Sequence, residues 1–137
     1  MDLIVLLGPD GCWKKEVLKS VSQQIYKNGP LQKTTVRANG KGFDVCTDDE
    51  GVKIGCACDL QCADIKALIN GEPQVELLIC GLREEKDAWT CCEDVFRAGG
   101  KFAVMLKRKE DPINRAKIDE VTCQMIVAST NAFGQRK

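Results

Sequence analysis

The segment Gly8-Pro9-Asp10-Gly11-Cys12-Trp13-Lys14-Lys15 gathers two glycines, an acid and two amines where one apolar pattern gives way to another. Leu3 to Leu7 is continuously apolar, as in a strand buried on both faces. Val17, Val21 and Ile25, with Leu18 beside them, then recur at helical spacing. A glycine-rich turn that opens a helix presents backbone N–H groups and the positive end of the helix dipole to an anion. Gly8, Asp10, Gly11 and Lys14 would form such a phosphate cradle. An ordinary turn, with Lys14, Lys15 and Lys19 on a solvated helix face, fits the same residues.

The elements that must position this segment follow from the rest of the pattern. Asn28-Gly29-Pro30 is expected to end the first helix. Thr34 to Ala38 is a short β-branched run before the Asn39-Gly40 turn. Phe43 to Thr47 and Val52 to Cys58 flank Asp48-Asp49-Glu50-Gly51 as a β-hairpin with a solvated acidic tip. Cys62, Ile65, Leu68 and Ile69 mark a short helix stopped by Gly71 and Pro73, and Val75 to Cys80 is a buried strand. Ala88, Trp89, Cys92, Val95 and Phe96 trace a helical face, with Trp89 expected in the core. Phe102 to Leu106 is the last strand. Asp111 as N-cap and Pro112 at N1 are expected to open a helix carrying Ile118, Val121, Met125 and Ala128, with a frayed tail over 129–137.

The order β-α-β-β-β-α-β-α-β-α implies one α/β domain over 1–137. Its sheet would be mostly parallel, with helices on both faces and an inserted β-hairpin. Ligands of such sheets bind beyond the carboxyl ends of the strands. That rule adds Asp59, Gly81, Arg83, Lys107 and Arg108 to the glycine-rich turn. Arg83 would assist with charge, and Asp59 would be the carboxylate on the side of any metal.

Leu6-Leu7-Gly8-Pro9-Asp10-Gly11, between buried strand and helix, resembles the start of P-loop nucleotide kinases such as thymidylate kinase. The resemblance implies a P-loop-NTPase-like three-layer sandwich and a nucleotide, with Mg²⁺, as the ligand. Aligned to G-x-x-x-x-G-K-[ST], Gly8 takes the first position and Lys14 the lysine. Trp13 stands where the second glycine belongs, and Lys15 where a hydroxyl should hold magnesium. An ammonium cannot ligate a cation, and the expected strand at 75–80 ends without an acid. Standard NTPase or kinase activity is therefore disfavoured. The expected function is binding of a nucleotide or other phosphorylated small molecule with weak or no turnover. The alternative is a non-catalytic protein-interaction module on the same scaffold, engaging another protein or itself.

Composition limits the remaining classes. Acidic and basic residues balance at 20 each and aromatics are 5%, so nucleic acid is not an expected partner. No apolar run is long enough to span a bilayer, and no secretory signal is seen, so a cytoplasmic location is expected. The nine cysteines are expected to be mostly reduced and structural. Cys56-x-Cys58-x-x-x-Cys62 raises a metal or thiol-redox reading. The chain has no histidine, and strand alternation also explains the spacing of Cys56 and Cys58.

Overall fold

The first strand, β1 (Asp2–Leu7), is buried along its whole length, and alternation divides its apolar run between two cores. Leu3, Val5 and Leu7 face one core, and Ile4 and Leu6 face the other. Each such aliphatic side chain contributes roughly 1.5–3 kcal/mol on burial. The computed structural model describes residues 1–25, 32–47, 53–57, 60–71, 75–107 and 113–134.

The chain continues through α1 (Lys14–Ile25), β2 (Gln32–Ala38), β3 (Lys41–Thr47), β4 (Lys53–Ala57) and α2 (Cys62–Ile69). It closes with β5 (Leu77–Leu82), α3 (Glu85–Arg97), β6 (Phe102–Leu106) and α4 (Arg115–Gly134). The sheet order is β2-β3-β4-β5-β1-β6. The strands β4, β5, β1 and β6 run parallel, while β2 and β3 are antiparallel to their neighbours. This is the expected α/β class and element order, with the inserted strands forming a meander at one edge. Asn39 and Gly40, both at positive φ, make the tight β2–β3 turn.

α1 and α4 pack together over Ile4, Leu6 and Ile79, while α2 and α3 pack together over Leu3, Val5 and Cys80. Helices therefore leave β4 and β5 toward one face, and β1 and β6 toward the other. The reversal falls between β5 and β1, which is where a crevice opens in a sheet of this kind.

Several expectations at the level of faces and ends are corrected. Trp89 is 57% exposed rather than in the core, because α3 turns Ala88, Cys91, Cys92 and Val95 inward; Phe96 is exposed as well. In α4 the buried residues are Thr122, Cys123, Ile126 and Thr130, and Val121 and Met125 face outward. That helix begins at Arg115, after a turn at 113–114, rather than at Pro112, and it continues through Gly134 instead of fraying at 129. The strand expected over 75–80 is β5, two residues later, so Leu82 rather than Cys80 ends it. The expected stop at Asn28-Gly29-Pro30 and the acidic hairpin tip at 48–51 lie outside the described residues.

Candidate functional site

The carboxyl ends of β1 and β5 meet at Gly8, whose N–H donates to the Leu82 carbonyl at 3.0 Å. A Cβ on Gly8 would lie 2.3 Å from the Lys107 carbonyl oxygen. The glycine therefore lets the ends of three adjacent strands close together, and its N–H is already engaged. The chain then turns through Gly11 and Trp13, both in the left-handed region, at φ 78° and 67°. The first backbone bond of α1 runs from the Val17 N–H to the Trp13 carbonyl at 3.1 Å. Among the described residues, no backbone carbonyl accepts from the N–H groups of Asp10, Gly11, Cys12 or Trp13.

Lys14 is the buried lysine of α1. Its ammonium folds back and donates to the carbonyls of Gly8, at 2.5 Å, and Pro9, at 2.9 Å. It lies 3.8 Å from the Cys12 sulfur. The positive charge is thus fixed inside the loop, while Lys15 and Lys19 are exposed on the helix. Trp13 is half-buried under Arg115 of α4, whose guanidinium carbon sits 3.6 Å from the ring centroid. The indole thus sits on a backbone of the kind glycine favours and packs toward α4.

Arg83, just past β5, reaches across to Asp10, with Nη1 2.9 Å from Oδ2. Both side chains are exposed, so this ion pair is a latch of modest strength. Asp10 and Arg83 border an open cleft of about 630 Å³, with Lys14, Gly81 and Leu82 on the β1/β5 side. Residues 60–63, which lead into α2, and Glu84 and Asp87 of the β5–α3 junction form its other wall. The cleft coincides with the switch point between β5 and β1 and has the size of a small-ligand site. A second, apolar cavity of about 230 Å³ lies between the β3/β4/β5 strands and Leu68, with no charged side chain in its lining.

The structure brings together Gly8, Asp10, Gly11, Lys14 and Arg83 at one sheet edge, while Asp59 and Arg108 lie outside the described residues. Lys107 is turned away from the cleft. Its Nζ is buried 2.9 Å from Asp119 Oδ1 of α4, at an angle that fails hydrogen-bond geometry, so charge rather than a directed bond joins them. Arg115 also approaches Asp119, at 3.3 Å. Gln61, Glu84 and Asp87 were not singled out by the sequence, and Cys62 was singled out only for metal or thiol chemistry and not for this cleft. Their signal was available, since α2 and α3 each begin just after a parallel strand and so start at this edge.

The cleft's lining carries the carboxylates Asp10, Glu84 and Asp87 against the cations Lys14 and Arg83. Burial pushes the Cys62 thiol up, and the nearby Asp87 carboxylate adds to the effect. Among the described residues, no cluster of three or more Cys, Asp or Glu is placed to hold a metal ion. No helix among them is long and apolar enough to cross a membrane. Comparison of the chain with protein-family models, curated proteins and solved structures finds no match.

Proposed function

We propose that the chain binds a small phosphorylated ligand, of the nucleotide class, in the β5/β1 crevice with little or no turnover. The observation that carries this reading is the coincidence of three features at one place. These are the switch-point cleft, a loop whose N–H groups at 10–13 meet no backbone acceptor, and the fixed ammonium of Lys14. The N–H groups and Lys14 would receive the phosphate, and Arg83 would exchange Asp10 for it. Three carboxylates in the wall favour a ligand with one phosphate over a triphosphate, by simple charge repulsion. Lys15, in place of a hydroxyl, leaves a nucleotide's Mg²⁺ without that ligand, which accounts for the weak turnover.

Calorimetry with dTMP, ATP and GTP, each with and without Mg²⁺, tests the proposal. Binding should be strongest for the monophosphate, weaken with salt, and fall about tenfold in Arg83→Ala, the loss of one charge-assisted contact. Asp10→Asn should tighten it a few-fold, because the exposed latch competes weakly. Absence of binding at millimolar ligand, or affinity indifferent to Lys14→Ala and Arg83→Ala in folded protein, would refute it.

The second reading, a non-catalytic interaction protein, is favoured by one observation. β6 is an edge strand, and Phe102 and Leu106 on it are exposed, Leu106 at 75%. Sedimentation over a range of concentrations, compared with Leu106→Lys, separates self-association through this edge from a monomer.

A further inference from the structure

Cys62 is the first residue of α2 and lines the cleft, and Cys91 lies in the middle of α3 on its buried face. Their sulfurs are 3.2 Å apart, with the Cys91 thiol donating to the Cys62 sulfur. The Cys62 thiol in turn donates to the Asp87 carbonyl at 3.4 Å, one helical turn before Cys91. Both cysteines are free thiols. The two helices pack directly against each other, so about 1 Å of approach would bring the sulfurs to bonding distance. Cys62 is partly exposed at the cleft, whereas Cys91 is 1% exposed. One sulfur is thus open to a dissolved reagent and the other waits behind it.

We propose that Cys62 and Cys91 are a disulfide-forming pair, oxidised by hydrogen peroxide, that ties α2 to α3 along the wall of the cleft. The Cys62 sulfur attacks a peroxide oxygen, the O–O bond breaks, water leaves, and Cys62 becomes a sulfenic acid. The Cys91 sulfur then attacks the Cys62 sulfur, the S–O bond breaks, and a second water leaves as the S–S bond forms. The two thiols together lose two electrons and two protons, which reduce one peroxide to two waters. A dithiol reductant reverses the link and is itself oxidised to a disulfide.

Burial holds the Cys62 thiol above its ordinary value and Cys91 well above it. Little thiolate is present at neutral pH, so oxidation is slow and accelerates as pH rises. Thiols of this kind are also poor leaving groups, so the bond, once made, persists until a dithiol removes it. The cross-link encloses residues 62–91, and so constrains both helices that carry the far wall of the cleft. None of this depends on which ligand the cleft takes.

The test is treatment of the folded, reduced protein with hydrogen peroxide, followed by thiol blocking, intact mass and non-reducing peptide mapping. The expected product is lighter by two hydrogen atoms and joins the tryptic peptide Ile54–Lys66 to Asp87–Arg97. It should be absent in Cys62→Ser and present in Cys56→Ser, Cys58→Ser and Cys92→Ser, which resolves the cysteines sharing those peptides. Its Tm should exceed that of the reduced protein by roughly 5–15 °C, and a dithiol should restore the lower value. Persistence of the joined peptide in Cys62→Ser, or mass gains of oxygen alone with no loss of hydrogen, would overturn the proposal. Cys62 is only partly buried, so its serine variant is expected to keep the fold, and the test does not rest on Cys91→Ser.

Discussion

At Gly8 the absence of a side chain matters because another strand end occupies the space. The Lys107 carbonyl and the Cys12 sulfur would stand 2.3 Å and 2.7 Å from a Cβ, and the backbone carbonyl cannot move without parting β1 from β6. Gly8→Ala is therefore expected to cost roughly 2–4 kcal/mol. Gly40 is the matching control. It has positive φ and nothing within 4 Å, so Gly40→Ala should cost only the left-handed strain of about 1 kcal/mol. Urea unfolding of the two variants measures the difference, and equal costs would show that packing at Gly8 is not the cause. Trp13 carries the same kind of backbone strain, about 1–2 kcal/mol for a bulky residue. The Arg115 guanidinium on its face returns a comparable amount, roughly 0.5–2 kcal/mol. An indole can thus hold a glycine's conformation at little net cost.

At the scale of elements, α4 is joined to the sheet by few charged contacts, and the buried one dominates. The Lys107 side chain is 1% exposed and that of Asp119 is 17% exposed, so Asp119→Asn leaves an ammonium buried without its counter-charge. The expected loss is roughly 3–5 kcal/mol, whereas the double variant Lys107→Met with Asp119→Leu should recover most of it. A double-mutant cycle by urea unfolding reads this directly, and additive losses would mean that the two groups do not interact. The elements themselves were legible in the sequence, because Gly and Pro punctuate them and the hydrophobic period changes across Gly8–Gly11. Their faces were less so. In α4, Ile118, Val121, Cys123, Met125, Ile126 and Val127 spread around most of the helix, and periodicity alone cannot choose which of them the sheet covers. α3 has the same ambiguity, since Trp89 and Phe96 neighbour the residues that are buried. At the site, strand ends located Gly8, Lys14 and Arg83. The latch from Arg83 to Asp10 and the Cys62–Cys91 contact join residues far apart in the chain, for which a single sequence holds no spacing signal.

Over the whole molecule, both cores contain thiols that burial holds above the ordinary value of 9.0. Cys91 and Cys92 lie in the α2/α3 core and Cys123 in the α1/α4 core, each no more than 3% exposed. In the unfolded chain these groups release their protons near the ordinary value, while the folded protein retains them. The unfolded state then binds fewer protons, so the slope of unfolding free energy against pH is negative. Stability is fully present below about pH 9 and falls as pH rises beyond it toward the folded values. The loss accumulates over the three thiols, Cys91 contributing most because its folded value is raised furthest. Urea unfolding under a phosphine reductant, at about pH 8 and about pH 10, should show this fall. Cys123→Ala and Cys92→Ala should each flatten the slope, independently, because the sheet separates them. A stability unchanged across that interval would mean that the cores admit thiolate as readily as water does, which their burial opposes.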